Sequence, residues 1–211
     1  MRRLPKAIPV SVLLTSLFQG IASASPVRPA TETAATVKII ELDFVFAPDP
    51  GQAHLGDTVV WWNDVANHHT ATDESLLVLW DSGDMGFQDT FAYTFTAAGT
   101  YPYRCDFHER YGMYGTVVVK DNVSPPSGPV GTVFTITVAS VEAPTGFVYD
   151  IQKRNPVGGF RDWMIGVTQS SVSFDSTGRL TGTYGFRSRL RRVSDDAATE
   201  YSPFARITVT S

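Results

Sequence analysis

Residues 100–120 read TYPYRCDFHERYGMYGTVVVK, two β-like runs around a nine-residue stretch that offers a thiol, an imidazole and a thioether. Cys105, His108 and Met113 stand in the order C-x2-H-x4-M. Alternation puts Tyr103 and Cys105 on one strand face and Arg104 on the other. A further imidazole comes from upstream, in WWNDVANHHT at residues 61–70, where His68 and His69 are adjacent and strand alternation lets only one of them point inward. Two His, one Cys and a weak axial Met form the ligand set of a trigonal copper site suited to electron transfer.

The cysteine count supports that reading. The chain has one cysteine in 211 residues, so no internal disulfide can form. A lone thiol in an oxidising compartment must be buried or metallated, and its place three residues before a histidine favours metal over core filling. An oxidising compartment is expected because residues 1–24 have the pattern of a signal peptide. Arg2, Arg3 and Lys6 precede a mostly apolar run from Ile8 to Ile21, and Ala22-Ser23-Ala24 fits a cleavage site. The run is too short to span a bilayer and is broken by Pro9 and Gln19. The expected location is therefore secreted or extracytoplasmic, in a periplasm or at a cell surface, with no transmembrane span after cleavage.

Outward from the thiol, the chain breaks into short strands separated by turns, without a helix-period run. Residues 25–35 form a flexible leader. Residues 37–46 (VKIIELDFVF) read as one strand, 58–62 as another, 76–80 as a short apolar stretch, and 87–95 (FQDTFAYTF) as an alternating strand with Phe87, Phe91, Tyr93 and Phe95 on one face. Residues 115–120 close the first domain, 36–121. Residues 122–130, with Pro125-Pro126-Ser127-Gly128-Pro129, read as a linker by composition. Six further strand candidates follow in 131–211, the size of a small immunoglobulin-like sandwich. The class is all-β, two antiparallel sandwiches in series.

The stretches GDTVVWWND, HHTAT, DTFAYTFTAAGTYPYRC and CDFHERYGMYGTVVV occur in that order, and through them residues 36–120 resemble the plastocyanin-type cupredoxins, small blue-copper proteins. The resemblance implies a cupredoxin Greek-key β-sandwich that binds one copper ion, cycling between Cu(I) and Cu(II). It implies His69, the histidine directly before Thr70, together with Cys105, His108 and Met113 as ligands, with Met113 preferred over Met85, which reads as lying in a solvent-facing turn. Arg104 stands where the family often has an aromatic residue. Residues 130–211 resemble a fibronectin type III-like module more loosely, through GTYGFRSRLRR and YSPFARITV.

Charge separates the halves. Residues 36–124 carry 4 Lys+Arg and 13 Asp+Glu, a net −9, whereas 125–211 carry 9 and 7, a net +2. The acidic half repels nucleic acid and anionic lipid. An enzyme reading fares poorly, because a multicopper oxidase needs paired His-x-His segments and the four histidines form none. Three readings stay open: a transient electron carrier between redox protein partners, a copper-sequestering or delivery protein, and a cell-surface adhesion protein whose second domain contacts cell wall or polysaccharide. Phe107, Tyr111 and Tyr114 are candidates for an apolar collar around His108, and Asn63, Asp64, Asn67 and Thr70 for supporting hydrogen bonds. His54 reads as an ordinary surface residue. Arg187, Arg189 and Arg191 fall on one face of a strand.

Overall fold

The computed structural model describes residues 34–211, so the signal peptide and all but the last two residues of the leader lie outside the described residues. Eight strands build the first sandwich: β1 (Thr36–Leu42), β2 (Val45–Ala47), β3 (Gly51–Ala53), β4 (Thr58–Asn63), β5 (Thr72–Asp73), β6 (Thr90–Thr94), β7 (Gly99–Arg104) and β8 (Tyr114–Val119). One sheet has the order β2-β1-β4-β6 and the other β3-β8-β7-β5. The strict period-two pattern of β4, β7 and β8 drives the packing. Val59, Trp61, Tyr101, Tyr103, Val117 and Val119 point inward from them and join Ile39, Phe46 and Phe95 in one buried cluster.

The pairing is not purely antiparallel. β1 runs parallel to β4 and β3 parallel to β8, because the chain leaves β1's sheet through β3 and then returns in β4. The expected single strand at 37–46 is a hairpin, with β1 and β2 folding back through Asp43 and Phe44, the latter at a φ of 60°. Phe87 does not share the face of Phe91 and Tyr93. It lies exposed in a turn where Gln88 has a φ of 68°, and the strand begins only at Thr90.

The second sandwich contains β9 (Asn122–Ser124), β10 (Ser127–Pro129), β11 (Val133–Thr137), β12 (Phe147–Arg154), β13 (Phe160–Val167), β14 (Ser171–Asp175), β15 (Gly182–Arg192) and β16 (Ala205–Thr210). Its sheets run β10-β16-β15-β12-β13 and β14-β11-β9 around Phe134, Ile136, Tyr149, Ile151, Phe174 and Phe186. The stretch read as a linker is thus structured. β9 pairs with β11 and β10 with β16, the prolines standing at ends where no ladder donor is needed.

The two sandwiches share a seam. Leu77 and Ala97 of the first are buried in the second one's core cluster. Thr100 N–H donates to Glu200 O at 3.1 Å, Ser140 N–H to Thr96 O at 2.7 Å, and Arg192 to the carbonyls of Leu76 and Leu77 at 3.2 and 3.4 Å. Asp121 is buried there, accepting a hydrogen bond from Ser188 Oγ, and its burial pushes its pKa up to about 7.

Candidate metal centre

The β7–β8 hairpin carries the thiol and closes over the imidazole. Beyond the Arg104–Tyr114 pair, Cys105 N–H donates to Met113 O at 3.0 Å, so residues 105 and 113 continue the ladder side by side. His108 N–H donates to Cys105 O at 3.1 Å, and a 3₁₀ turn, Glu109–Tyr111, ends on Gly112 at a φ of 82°. Only glycine adopts that left-handed turn without strain. Gly115 is required for a different reason. A Cβ there would lie 2.4 Å from the ring of Tyr103, the residue facing it across the ladder.

His69 arrives on the loop after β4. That loop is held by Asn63, fully buried, whose Nδ2 donates to the carbonyls of Asn67 at 2.7 Å and Met85 at 2.9 Å. His69 and Met85 exchange both backbone hydrogen bonds, at 3.1 and 2.9 Å. Met85 is therefore buried against the site and not in a solvent-facing turn, which corrects the sequence reading. Of the two adjacent histidines, His69 points inward with no exposed surface, whereas His68 is exposed and bonds Asp84 at 2.7 Å. His54 sits at the surface beside Asp57.

Three ligating atoms converge. His69 Nδ1 and His108 Nδ1 stand 3.2 Å apart, and Cys105 Sγ lies 3.7 Å from the first and 3.4 Å from the second. The centre of a triangle with those sides is about 2.0 Å from each corner, the length of a metal–imidazole bond and slightly under a metal–thiolate one. Burial, then the neighbouring His108, pushes the His69 pKa down to about 4, so its ring is neutral and its lone pair free at neutral pH. Two imidazole nitrogens and a sulfur converging on one point in a buried pocket form a donor set that suits a metal ion. Met113 is fully buried beside Cys105 in the same core cluster.

Surrounding groups fix these atoms. Thr70 N–H points at Cys105 Sγ from 3.4 Å. Thr70 Oγ1 accepts the Asp106 N–H at 2.8 Å, and Thr72 Oγ1 donates to Asp106 Oδ2 at 2.8 Å, pinning the histidine loop to the cysteine loop. Arg104, outward as alternation required, reaches Asp106 at 2.8 Å, Glu109 at 3.2 Å and Glu74 at 3.3 Å. Among the candidates read from sequence, Thr70 and Asn63 thus hold the site. Asp64 and Asn67 are exposed at its margin.

His108 is the half-buried member of the cluster, and rings surround it. The nearest is Phe44, edge-on with centroids 4.9 Å apart, followed by Tyr111 at 6.2 Å and Phe107 at 6.5 Å. Sequence reading missed Phe44 by taking 37–46 as one strand. The signal was Asp43, a turn former inside an otherwise apolar run.

Residues 33–120 match the model of the family described as copper binding proteins, plastocyanin/azurin family. The first sandwich is a cupredoxin domain, and the cofactor of its family is copper. Solved structures similar to part of the chain include a Cu(I) structure of an amicyanin variant, at 26% identity over 40% of this chain and 81% of that one, TM-score 0.37. A reduced Cu(I) form of another amicyanin variant at pH 4 shares 29% identity over 43% and 86%, TM-score 0.36. A purple cupredoxin from Nitrosopumilus maritimus shares 25% over 40% and 98%, TM-score 0.36.

Proposed function

We propose that this chain is an exported single-electron carrier. In this reading His69, Cys105 and His108 hold copper in a trigonal set, with Met113 as the distant fourth ligand. Residues 36–121 form the copper domain, and residues 131–211 a fibronectin type III-like module. Bound copper supplies a one-electron couple. The observation that carries the reading is the convergence of two imidazole nitrogens and one thiol sulfur on a point about 2.0 Å from each.

The protein's own groups do the rest. Thr70 N–H at the sulfur stabilises the more thiolate-like state and so tunes the potential. The Arg104–Asp106–Thr72 clip keeps the ligand loop fixed, which holds the reorganisation between oxidation states small. Phe44, Phe107 and Tyr111 exclude water from His108 while leaving its edge the shortest path to a partner. A transient redox encounter there needs only a small interface, below about 1,200 Å².

Export is supported by the signal-peptide pattern of residues 1–24, and among the described residues no helix is long and apolar enough to cross a membrane. N-terminal sequencing of the exported chain tests this, with Ser25 expected as the first residue. Voltammetry of the copper-loaded protein tests the carrier function against sequestration. A carrier shows a reversible one-electron wave with fast exchange, whereas an irreversible wave with copper loss on reduction favours storage.

A further inference from the structure

On the outer face of the larger second-sandwich sheet, arginines and aromatic rings alternate. The Arg187 guanidinium lies 4.4 Å from the Phe160 ring centre and 4.9 Å from that of Tyr201, which Arg189 approaches at 4.8 Å. Arg154 sits 4.8 Å from Phe204 and 5.5 Å from Phe160, and Arg206 sits 4.6 Å from Phe204. The Phe160 and Phe204 rings meet at 5.4 Å over Gly185, where a Cβ would come within 3.1 Å of Phe204. The lattice therefore depends on a bare position at its centre.

Its charge is only partly compensated, by Asp150 and Asp196 at Arg189 and Arg191 and by Asp162, which accepts from Gln152 Nε2 at 2.9 Å. Arg189 and Arg191 share the buried Asp150 at 3.1 and 2.8 Å. Arg187 donates instead to the neutral Gln152 Oε1, at 2.9 and 2.7 Å. Among the described residues no carboxylate lies within 4.0 Å of Arg154, Arg187 or Arg206. This is a cationic face on a chain of net charge −4. Phe204 and Arg206 also line a groove of about 860 Å³ at the seam between the sandwiches, with Lys120, Asn122 and Gln52 and with the buried Asp121 as its one carboxylate.

We infer that this face and the groove beside it bind an acidic polysaccharide, a sugar chain bearing carboxylates at regular intervals. A guanidinium laid on a ring has its rotamer fixed; Arg154 and Arg206 keep their N–H edges free as prepositioned forks for carboxylates, while Arg187, held by Gln152 through Nε and Nη2, offers its remaining N–H groups and its charge. Arg154 and Arg206 flank Gly185 on neighbouring strands, about 10 Å apart at the backbone, and Arg187 lies two residues along from Gly185, about 7 Å away. Repeated anions on an extended chain meet repeated forks. The backbone groups of β12, β15 and β16 are already paired with one another, so an acidic peptide finds no strand to augment. The rings already carry guanidinium groups, so bases find no open stacking platform. The groove's amides and cations suit hydroxyls and carboxylates together. This surface is separate from the copper centre, and the inference stands whether or not the electron-carrier reading does.

The test is native electrophoresis of the exported chain through gels containing polygalacturonate at low salt, with dextran as the neutral control. Wild type is expected to be retarded by polygalacturonate and not by dextran. The triple variant Arg154→Gln/Arg187→Gln/Arg206→Gln is expected to lose about tenfold or more in apparent affinity. An Arg161→Gln control outside the lattice is expected to bind as wild type. Cooperative thermal unfolding of each variant checks that it folds. A second triple variant with lysine at the same positions preserves the charge and is expected to recover only part of the binding. Absence of wild-type retardation overturns the inference. So does full binding by either triple variant, or tighter binding of poly-glutamate or a single-stranded oligonucleotide of matched charge.

Discussion

Replacing Glu41 by glutamine removes a charge that the folded chain cannot solvate. The Glu41 side chain has no exposed surface, and neither carboxylate oxygen has a hydrogen-bond partner. It shares the core face of β1 with Ile39, and nearby is the buried Tyr103, whose hydroxyl burial keeps protonated. Burial pushes the Glu41 pKa from 4.5 up to about 8. The folded chain therefore holds a proton between those values that the unfolded chain releases. The stability contributed by that proton is fully present below pH 4.5 and lost as pH rises through 8. The gap corresponds to at most about 5 kcal/mol, and relaxation or entry of water leaves roughly 2–5 kcal/mol to be seen. The assay is urea unfolding of the reduced, metal-free protein and of Glu41→Gln from pH 4.5 to 9. Near pH 4.5 the two should be of similar stability, and by pH 8.5 the variant should be more stable by that amount. Asp121 titrates in the same direction in both chains and cancels in the difference. A difference that stays flat with pH refutes the reasoning, since it means that Glu41 ionises in the fold as it does in water.

Other expectations follow from the site and the seam. His69→Ala should abolish copper binding while His68→Ala leaves it intact, as followed by equilibrium dialysis, because only the first ring enters the cluster. Gly115→Ala should destabilise the fold by about 2 kcal/mol or more in thermal or urea unfolding, since its Cβ overlaps the Tyr103 ring. Phe44→Gly should keep the copper colour and cost little stability, because it relieves a left-handed residue, yet it should raise solvent exchange at the His108 ring as read by NMR. Arg192→Gln should cost about 1 kcal/mol and speed limited proteolysis near Leu76, having lost the two carbonyl contacts across the seam.

The candidate-ligand loop was legible because its information is local. Cys105, His108 and Met113 lie within nine residues, and a hairpin ladder brings the ends together without help from distant contacts. The choice of His69 over His68 was legible only through resemblance. In the structure it follows from the bridge to Met85, a pairing 16 residues away that no periodicity announces. Strand alternation located most core positions, but it gave the wrong phase at Phe87 and merged β1 with β2, because Phe44 and Gln88 take left-handed turns without glycine. Composition misread residues 122–130, where Pro125 and Pro126 lie between two short strands, Pro129 ends the second and Gly128 sits inside it, paired with Val209. Burial of Leu77 in the other sandwich's core depends on how two domains meet, which a single sequence does not encode locally.

The most direct measurement is a Cu(II) titration of the exported chain and of Cys105→Ser, followed by visible absorption. Wild type should develop an intense thiolate-to-copper band that saturates at one equivalent, and the serine variant should stay colourless. A colourless wild type, or a variant with the same band, would contradict the assignment of Cys105, His69 and His108 to a copper centre.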